Sequence, residues 1–310
     1  MEKPLIIFDT DMDTDCDDAG ALGLILEYVK AGKAELLGVI ADAPDRYVAG
    51  CCDAICRWYG LPRPVGAVRA AKYAQDPRFE EYRRHRTRMT RDRFYNEPLA
   101  ARVGKTDEDY PDAAGAYRQL LSAAEDGSVT IVCVGFLTAL AELLCSQGDD
   151  LSPLTGVELM AKKVNQVVSM GNAQYPLFPE SNFNYNMDAV GAKIFFEKCP
   201  VPLYICPEGT RVITGYSFPE VFSADHPLRM AYKAFVGREG VGRSSWDLIT
   251  SLYALEQESP LFVRSFHGTA CYESPERGWW ISDGDRKDCL LTLGVSNEEM
   301  ALLLEEKLTK

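Results

Sequence analysis

Apolar and polar positions along the chain predict strands and helices that follow one another through most of its length, which is typical of an α/β protein. The apolar run at residues 5–8 predicts a buried parallel strand, and residues 19–26 predict the apolar start of a helix. The other predicted strands cover residues 34–41, 62–68, 128–134, 164–170 and 201–206. The other predicted helices cover residues 47–59, 112–125, 139–145, 226–236 and 244–255, with a closing helix after residue 296. Residues 279–293 predict a hairpin. We therefore expect an open, mostly parallel sheet with helices on both faces, in one domain that spans residues 1–310.

Six carboxylates stand within ten residues, directly after the first predicted strand. They are Asp9, Asp11, Asp13, Asp15, Asp17 and Asp18. They lie at the carboxyl end of a strand, which is where open α/β sheets bind their ligands. Like charges this close repel one another, and nothing basic within the loop offsets them, whereas a hard cation would. Ca²⁺ takes about six to eight oxygen ligands in irregular geometry, while Zn²⁺ prefers His and Cys. The cluster therefore predicts a calcium site.

Two familiar structures explain this cluster less well. Asp17 and Asp18 could cap the first helix, because Asp is favoured at the N-cap and in the first turn, but capping leaves the other carboxylates unexplained. An EF-hand loop needs Gly at its sixth position and Glu at its twelfth. Counted from Asp9, those positions hold Thr14 and Gly20, so the EF-hand is excluded.

Asp9 and Asp11, a short spacer, and then Asp17, Asp18 and Ala19 before an apolar helix resemble the N-terminal motif of the nucleoside hydrolases. These are calcium-dependent N-ribosyl hydrolases. The spacer is longer than in the best-known members, which indicates a divergent branch. The resemblance implies a nucleoside hydrolase-like fold with a Rossmann-like core. It also implies hydrolysis of the N-glycosidic bond of a ribonucleoside or related ribosyl compound by a calcium-bound water.

Later motifs resemble the same family, in the same order. Residues 135–138 resemble its Gly-Gly-Leu-Thr strand end, which implies that the backbone carbonyl of Val134 binds calcium. Residues 181–188 resemble its Glu-Phe-Asn segment, which places Asn184 on the sugar-binding Asn and Asn182 where Glu is common. A turn-rich loop is the other explanation for these asparagines. Asp247 matches the family's last metal-binding Asp.

The resemblance implies a complete set of site residues. The expected calcium ligands are Asp11, Asp18, Asp247 and the Val134 carbonyl, and Asp11 is also the expected general base. The expected substrate contacts are Asp17, Asn172, Asn182, Asn184 and Trp246. Asp13 and Asp15 lie in the lengthened spacer and have no clear counterpart in the family.

The chain departs from the family at two positions that contact the substrate in relatives. Pro44 and Asp45 stand where a Gly-Asn turn usually helps to hold a ribose hydroxyl. Trp246 stands where the best-studied branch has a His that is proposed to protonate the departing base. An indole can stack on a flat leaving group but cannot deliver a proton at neutral pH. Of the three histidines, His85 is the one candidate acid, and a solvated loop residue is the alternative explanation for it.

Seven arginines lie between residues 78 and 93, a region that forms a variable loop near the pocket in relatives. Such a run could bind a phosphate or another anion, which would favour a negatively charged substrate. A solvated or subunit-facing segment is the alternative.

Composition narrows the classes of partner. The net charge is −13, which argues against nucleic acid or an anionic membrane surface as partner. No apolar run approaches the roughly 18 residues of a membrane span. Ten cysteines without a signal peptide fit a cytoplasmic protein with reduced thiols. We expect a homodimer or homotetramer that acts on a small nucleoside-like substrate.

Two other functions remain open. The first is a metal-dependent protein that binds a ribosyl ligand but has weak or lost catalysis, which the changes at Asp45 and Trp246 would explain. The second is a Mg²⁺-dependent phosphatase of the Asp-x-Asp type. That function would need a Lys and a further acidic motif, whereas the second half of the chain follows the order of the hydrolase family.

Overall fold

The computed structural model describes residues 3–171, 182–282 and 284–309. Its strands are β1 (Leu5–Thr10), β2 (Glu35–Ala41), β3 (Val65–Ala67), β4 (Val129–Cys133), β5 (Val164–Met170), β6 (Leu203–Cys206), β7 (Ile213–Thr214), β8 (Arg243–Ser244), β9 (Phe262–Ser274), β10 (Arg277–Ile281) and β11 (Asp288–Leu293).

The helices surround the sheet that these strands form. They are α1 (Asp17–Lys30), α2 (Val48–Trp58), α3 (Ala70–Tyr73), α4 (Glu80–Arg88), α5 (Asn96–Ala100), α6 (Ala113–Ala123), α7 (Thr138–Cys145), α8 (Gly156–Lys163), α9 (Phe183–Met187), α10 (Ala189–Lys198), α11 (Phe218–Val221), α12 (Pro227–Val236), α13 (Trp246–Leu255) and α14 (Asn297–Thr309). Short 3-10 helices add Pro77–Phe79, Arg91–Arg93 and Asp107–Asp109. Among the described residues, none of these helices combines the length and the apolar character needed to cross a membrane.

Nine strands form one mostly parallel sheet in the order β10-β9-β11-β6-β5-β4-β1-β2-β3. The seven strands from β11 to β3 pair in parallel, and β9 runs antiparallel to both β10 and β11. The prediction of an open, mostly parallel α/β sheet is therefore confirmed. A separate antiparallel pair, β7 and β8, lies outside this sheet.

The first strand lies in the middle of the sheet, which explains its unbroken apolar run. β1 pairs with β2 on one side and with β4 on the other, and Ile6, Ile7 and Phe8 are fully buried. A parallel strand covered on both faces needs apolar side chains at every position rather than at alternate ones.

The order of the strands reverses beside β1. The chain proceeds from β1 to β2 and β3 in one direction, and then from β4 to β5 and β6 in the other. In doubly wound sheets, the carboxyl ends of the strands at such a switch point form a crevice in which ligands bind. The aspartate loop leaves the end of β1 and the Gly135 turn leaves the end of β4, so both flank this crevice.

The prediction of a hairpin over residues 279–293 is wrong. β10 pairs with β9, and β11 pairs with the other edge of β9 and with β6, so β9 separates the two strands that were expected to be neighbours. The polar residues Arg264 and His267 interrupt the apolar pattern of β9. A local pattern indicates that a strand forms, but pairing depends on distant parts of the chain.

Candidate active site

A cavity of about 450 Å³ opens at the carboxyl ends of β1, β4 and β5. Its floor is acidic, with Asp11, Asp17, Asp18 and Asp247 among the lining residues and Val134 beside them. Its walls come from the region of α4, from α9, from α12 and from the start of α13. The switch point of the sheet therefore brings together residues that are far apart in the chain.

Asp17, Asp18 and Asp247 form the tightest acidic group on this floor. Each offers an oxygen atom, and these atoms all lie within 4.8 Å of one another. All three carboxylates are buried and occupy the first turn of α1 or α13, where the positive end of the helix dipole favours negative charge. The backbone N–H of Asp247 donates to Asp17 Oδ2 at 3.1 Å, which ties the two helices together at the site.

Backbone and hydroxyl donors fix the orientation of Asp18. The N–H of Met12 donates to Asp18 Oδ1 at 3.2 Å, and the hydroxyl of Thr10 donates to the same oxygen. Met12 itself has φ +35°, a conformation that costs a residue with a side chain about 1–2 kcal/mol. This turn of the backbone separates Asp11, which lines the cavity, from Asp13, which does not.

Burial raises the pKa of every carboxyl group on the floor. Burial raises the pKa of Asp11 to about 7, although hydrogen bonds from neighbours such as the Thr14 hydroxyl act in the opposite direction. Burial, followed by the charges of neighbouring aspartates, raises the pKa values of Asp17, Asp18 and Asp247 well above the usual value. Four acidic groups this close in a buried site disfavour ionisation, and a cation would restore it.

The Val134 carbonyl lies on the same floor and is held by the side chain of Asn184. Asn184 Nδ2 donates to this carbonyl at 2.6 Å and approaches Met170 Sδ at 3.5 Å. The backbone N–H of Val134 donates to the carbonyl of Asp9 at 2.8 Å, which continues the pairing of β4 with β1. A carbonyl oxygen has two lone pairs, so the bond from Asn184 leaves one free.

Gly135 allows the loops after β1, β2 and β4 to approach closely. A Cβ at this position would overlap the backbone nitrogen of Asp11 and lie 2.5 Å from Asp42 Oδ1. Asp42 is fully buried, and its two oxygens accept no hydrogen bond from the described residues. With Asp9 and Cys133, Asp42 forms a second acidic group, and none of the three lines the cavity.

The two aspartates of the lengthened spacer pair with arginines. Asp13 is buried, accepts from Tyr82 OH at 2.6 Å and from Asn96 Nδ2 at 2.9 Å, and forms an ion pair with Arg86. Asp15 lines the cavity and accepts from Arg243 Nε at 2.9 and 3.0 Å. The spacer therefore connects the acidic floor to two walls of the cavity.

A comparison with known protein families shows which family this chain belongs to. The model of the family described as "Inosine-uridine preferring nucleoside hydrolase" matches residues 6–287. The chain belongs to this family. No curated protein sequence gives a significant match.

Solved structures agree with the nucleoside hydrolase fold. An inosine-uridine preferring nucleoside hydrolase from Bacillus anthracis has a TM-score of 0.65 and 17% identity, with 99% of each chain covered. A plant nucleoside hydrolase has a TM-score of 0.66 and 17% identity, also with 99% of each chain covered. The type III effector protein XopQ complexed with adenosine diphosphate ribose has a TM-score of 0.72 and 14% identity, with 100% of this chain and 94% of that chain covered.

Most site residues that the nucleoside hydrolase motifs imply line one cavity. These are Asp11, Asp17, Asp18, Val134, Asn184, Trp246 and Asp247. Asn182 does not line it: its Oδ1 accepts from Tyr185 N–H at 3.3 Å and caps α9. Asn172 lies outside the described residues. The binding roles of these two asparagines stay predictions.

The arginine run contributes less to the nucleoside hydrolase pocket than its length suggests. Six of its seven arginines form ion pairs or hydrogen bonds with other parts of the chain; they are Arg78, Arg83, Arg84, Arg86, Arg88 and Arg91. Arg86 also pairs with Asp45 at 2.9 Å, so Asp45 is a structural partner of the run and does not line the cavity. Only Arg93 of the run is among the lining residues.

His85 lies in the wall of the cavity. Its ring meets that of Phe183 edge to face at 4.9 Å, and its Nε2 is buried without a hydrogen-bond partner among the described residues. Burial, followed by the nearby charge of Arg88, lowers its pKa below the usual value. The surroundings of His85 therefore disfavour its charged form, and one of its ring nitrogens is unused.

Sequence reasoning missed several residues of the site. Phe235 and Arg243 line the cavity, and Thr14 donates to Asp11. Arg243 stands four residues before Asp247, and that short spacing was the available signal. Phe235 lies on an amphipathic helix, where an apolar residue gives no sign of a ligand.

Proposed function

We propose that this protein is a calcium-dependent hydrolase that cleaves the N-glycosidic bond of a ribonucleoside or a related ribosyl compound. The observation that carries the proposal is the buried floor of four carboxylates and one backbone carbonyl at the switch point of the sheet. Burying four neighbouring carboxylates destabilises the folded state unless a cation balances their charge.

The donor set fits a hard cation. Asp11, Asp18, Asp247 and the Val134 carbonyl would hold it, and all of them offer oxygen atoms. No Cys is among the described residues that line this cavity, and its one His lies on the wall beside Phe183, so the floor suits Ca²⁺ better than Zn²⁺. When bound, calcium would lower the pKa of a water molecule and fix sugar hydroxyls.

The side chains around the floor supply the remaining chemistry. Asp11 takes the proton of the attacking water, and the hydroxyl of Thr14 holds its carboxylate in place. Asp17 and Asn184 orient the sugar hydroxyls, because a carboxylate accepts hydrogen bonds and an amide both donates and accepts them. Cleavage passes through an oxocarbenium-like state, which the negative floor stabilises.

The walls suit the leaving group. Trp246 lines the cavity with its Nε1 bonded to Thr210 Oγ1 at 3.1 Å, so its ring is fixed and offers a face for stacking. His85 carries an unused ring nitrogen in the same cavity and is the candidate acid for the departing base; because burial lowers its pKa, it would have to take up a proton before it could donate one.

A ribosyl-binding protein with weak or lost catalysis is the second candidate. It is favoured by the likeness in fold to XopQ, whose structure is complexed with adenosine diphosphate ribose, and by Trp246 where relatives have a general acid. The two candidates share the metal and sugar site. They differ in turnover, so one set of measurements separates them.

The test combines metal analysis with assays of sugar release. Purified protein should contain calcium, and a panel of ribosides should release reducing sugar in its presence but not in excess chelator. Asp11→Ala should lower kcat by at least about 10²-fold. Asp18→Asn should lose calcium, whereas Asp126→Asn, which changes an exposed carboxylate, should keep both metal and activity. Calcium-dependent ligand binding without sugar release would favour the binding protein, and absence of metal would refute both.

Two further features belong to this proposal. All ten cysteines are free thiols, which supports a reducing compartment such as the cytoplasm. Assembly as a homodimer or homotetramer stays a prediction, which light scattering of the purified protein would test.

A further inference from the structure

Two arginines line the outer part of the acidic cavity, and they differ in how their charge is balanced. Arg243 lies at β8 and Arg93 ends the 3-10 helix Arg91–Arg93. Both guanidinium groups lie over the ring of Phe235, Arg243 at 5.3 Å and Arg93 at 6.0 Å from its centroid. The two guanidinium groups therefore contact the same aromatic ring, and both arginines line the same cavity.

The charge of Arg243 is already balanced. Its Nε and Nη2 both donate to the carboxylate of Asp15, and its guanidinium also lies 5.2 Å from the ring of Trp246. These contacts hold its planar group against the wall of the cavity. The second terminal nitrogen, Nη1, makes no hydrogen bond within the described part of the chain, so it is free to donate to a ligand.

Arg93 is exposed and has no ion-pair partner among the described residues. Within the described ranges it forms neither an ion pair nor a side-chain hydrogen bond, although every other arginine between residues 78 and 93 does. Its neighbour Asp92 is also exposed and forms no ion pair with it in the same ranges; the pKa of Asp92 is lowered first by a hydrogen bond with Thr90 and less strongly by the charge of Arg93. The protein is strongly acidic, with a net charge of −13, so carboxylates were available to pair with it.

This pattern fits a ligand that brings its own negative charge. A guanidinium binds phosphate or carboxylate through two parallel N–H donors, and the bond is strongest where water is partly excluded. Asp15 holds Arg243 in place, whereas no carboxylate among the described residues holds Arg93, so an anion between them would meet one preorganised donor and one donor without a competing partner. A neutral nucleoside would leave Arg93 without a partner.

We propose that the ligand of this cavity carries an anionic group, a phosphate or a carboxylate, that binds Arg93 and Arg243 at the cavity mouth. The inference rests on the proposed function, because it assumes that the ribose occupies the acidic floor. The anionic group can belong to a 5′-phosphate on the sugar or to a carboxylate on the base, and the substrates of the test separate these sources.

Three substrates with the same sugar and related bases provide the test: uridine, uridine 5′-monophosphate and orotidine, which is uridine with a carboxylate on its base. The values of kcat/KM are measured with calcium at low ionic strength. We expect at least one anionic substrate to exceed uridine by about tenfold or more, as one charge-assisted bidentate contact would produce. The preference should fall at high salt, because exposed charges are screened. The substrate that benefits identifies the source of the charge.

The variant Arg93→Gln should remove most of that preference, measured as the ratio of kcat/KM between the anionic substrate and uridine. Arg91→Gln is the matched control, because Arg91 lies in the same short helix, pairs with Glu97 and does not line the cavity. This control should keep the ratio of the wild type.

The outcomes separate this inference from the proposed function. If uridine is the best substrate, or if the preference survives in Arg93→Gln, the anion site is refuted while the hydrolase stands. If no substrate is cleaved, calorimetry with calcium decides: tighter binding of the anionic compounds that is lost in Arg93→Gln supports the anion site in a protein without turnover. Equal or absent binding of all three compounds refutes it.

Discussion

Removal of the metal should make the folded protein less stable as the pH rises. The prediction concerns Asp11, because burial raises the pKa of its carboxyl group to about 7 in the metal-free chain. The folded chain holds this proton at a pH where the unfolded chain has already lost it. Unfolding therefore releases a proton, and a higher pH favours unfolding.

The size of the effect follows from the same shift. A carboxyl group whose pKa rises from 3.8 to about 7 destabilises the folded state by about 4 kcal/mol once the pH exceeds both values. The loss of stability begins near pH 3.8, the pKa in the unfolded chain, and is complete just above pH 7, the approximate pKa in the folded chain. This is a large part of the roughly 5–15 kcal/mol by which most proteins are stable. Calcium should offset much of this loss, because a free calcium concentration of about 100 times the dissociation constant adds about 2.7 kcal/mol of stability.

Urea denaturation in excess chelator at several values between pH 5 and pH 8 would measure this effect. The decisive comparison is between the wild type and Asp11→Asn, because the amide carries no charge at any of these pH values. Between pH 5 and pH 8 the metal-free variant should gain about 3 kcal/mol of stability relative to the wild type, because the first part of the loss lies below pH 5. With calcium the order should reverse, because the variant has lost a ligand.

Asp126→Asn is the control for the loss of a carboxylate. Asp126 is exposed, and a hydrogen bond from Lys163 holds its pKa below the usual value, so it does not titrate between pH 5 and pH 8. The free energy of unfolding of Asp126→Asn should therefore change with pH in parallel with that of the wild type. Parallel curves for Asp11→Asn and the wild type in chelator would refute the reasoning, since they would mean that Asp11 is not held protonated by burial.

Three further predictions concern the walls of the cavity and the turn after β4. Arg86→Met should lower the free energy of unfolding by about 3–5 kcal/mol in urea denaturation, because it leaves buried carboxylates unpaired, whereas Arg88→Met in the same helix should cost less than about 1 kcal/mol. His85→Ala should slow inosine hydrolysis at least about tenfold and leave p-nitrophenyl riboside unaffected, whereas an equal loss on both substrates would exclude it as the acid. Gly135→Ala should weaken calcium binding in calorimetry, because a Cβ there would displace the loop that carries Asp11; unchanged affinity would contradict the close approach.

The parts of the fold that could be predicted are those that depend on residues close together in the sequence. The apolar run of β1 and the aspartates after it are adjacent in sequence, and a strand buried on both faces needs such a run. The position of Asp247 was predicted from the resemblance to the nucleoside hydrolase motif rather than from a local pattern. The pairing of β9 was not predictable in this way, because it depends on β11 and β6, which are distant in sequence.

The roles of individual charged residues were the hardest to predict. Arg86 and Arg93 belong to one run, yet Arg86 bridges Asp13 and Asp45 while Arg93 faces the cavity. Composition cannot separate these roles, because both residues are arginines in a polar segment. The direction in which each side chain points is set by the turn between α4 and the 3-10 helix that follows it, and by carboxylates from other parts of the chain.

The lengthened aspartate spacer and the basic walls of the cavity form one unit. Asp13 holds Arg86 and with it the segment that carries His85, while Asp15 holds Arg243 against Trp246. A shorter loop would lack the residues that make these contacts. Each of these two carboxylates therefore binds one arginine, of which Arg243 lines the cavity, and the four acidic groups of the floor are left for the cation. A loop with six carboxylates can fold because two of them are paired with arginine, three lie on the floor where a metal ion would balance them, and the last, Asp9, accepts a hydrogen bond from Tyr117.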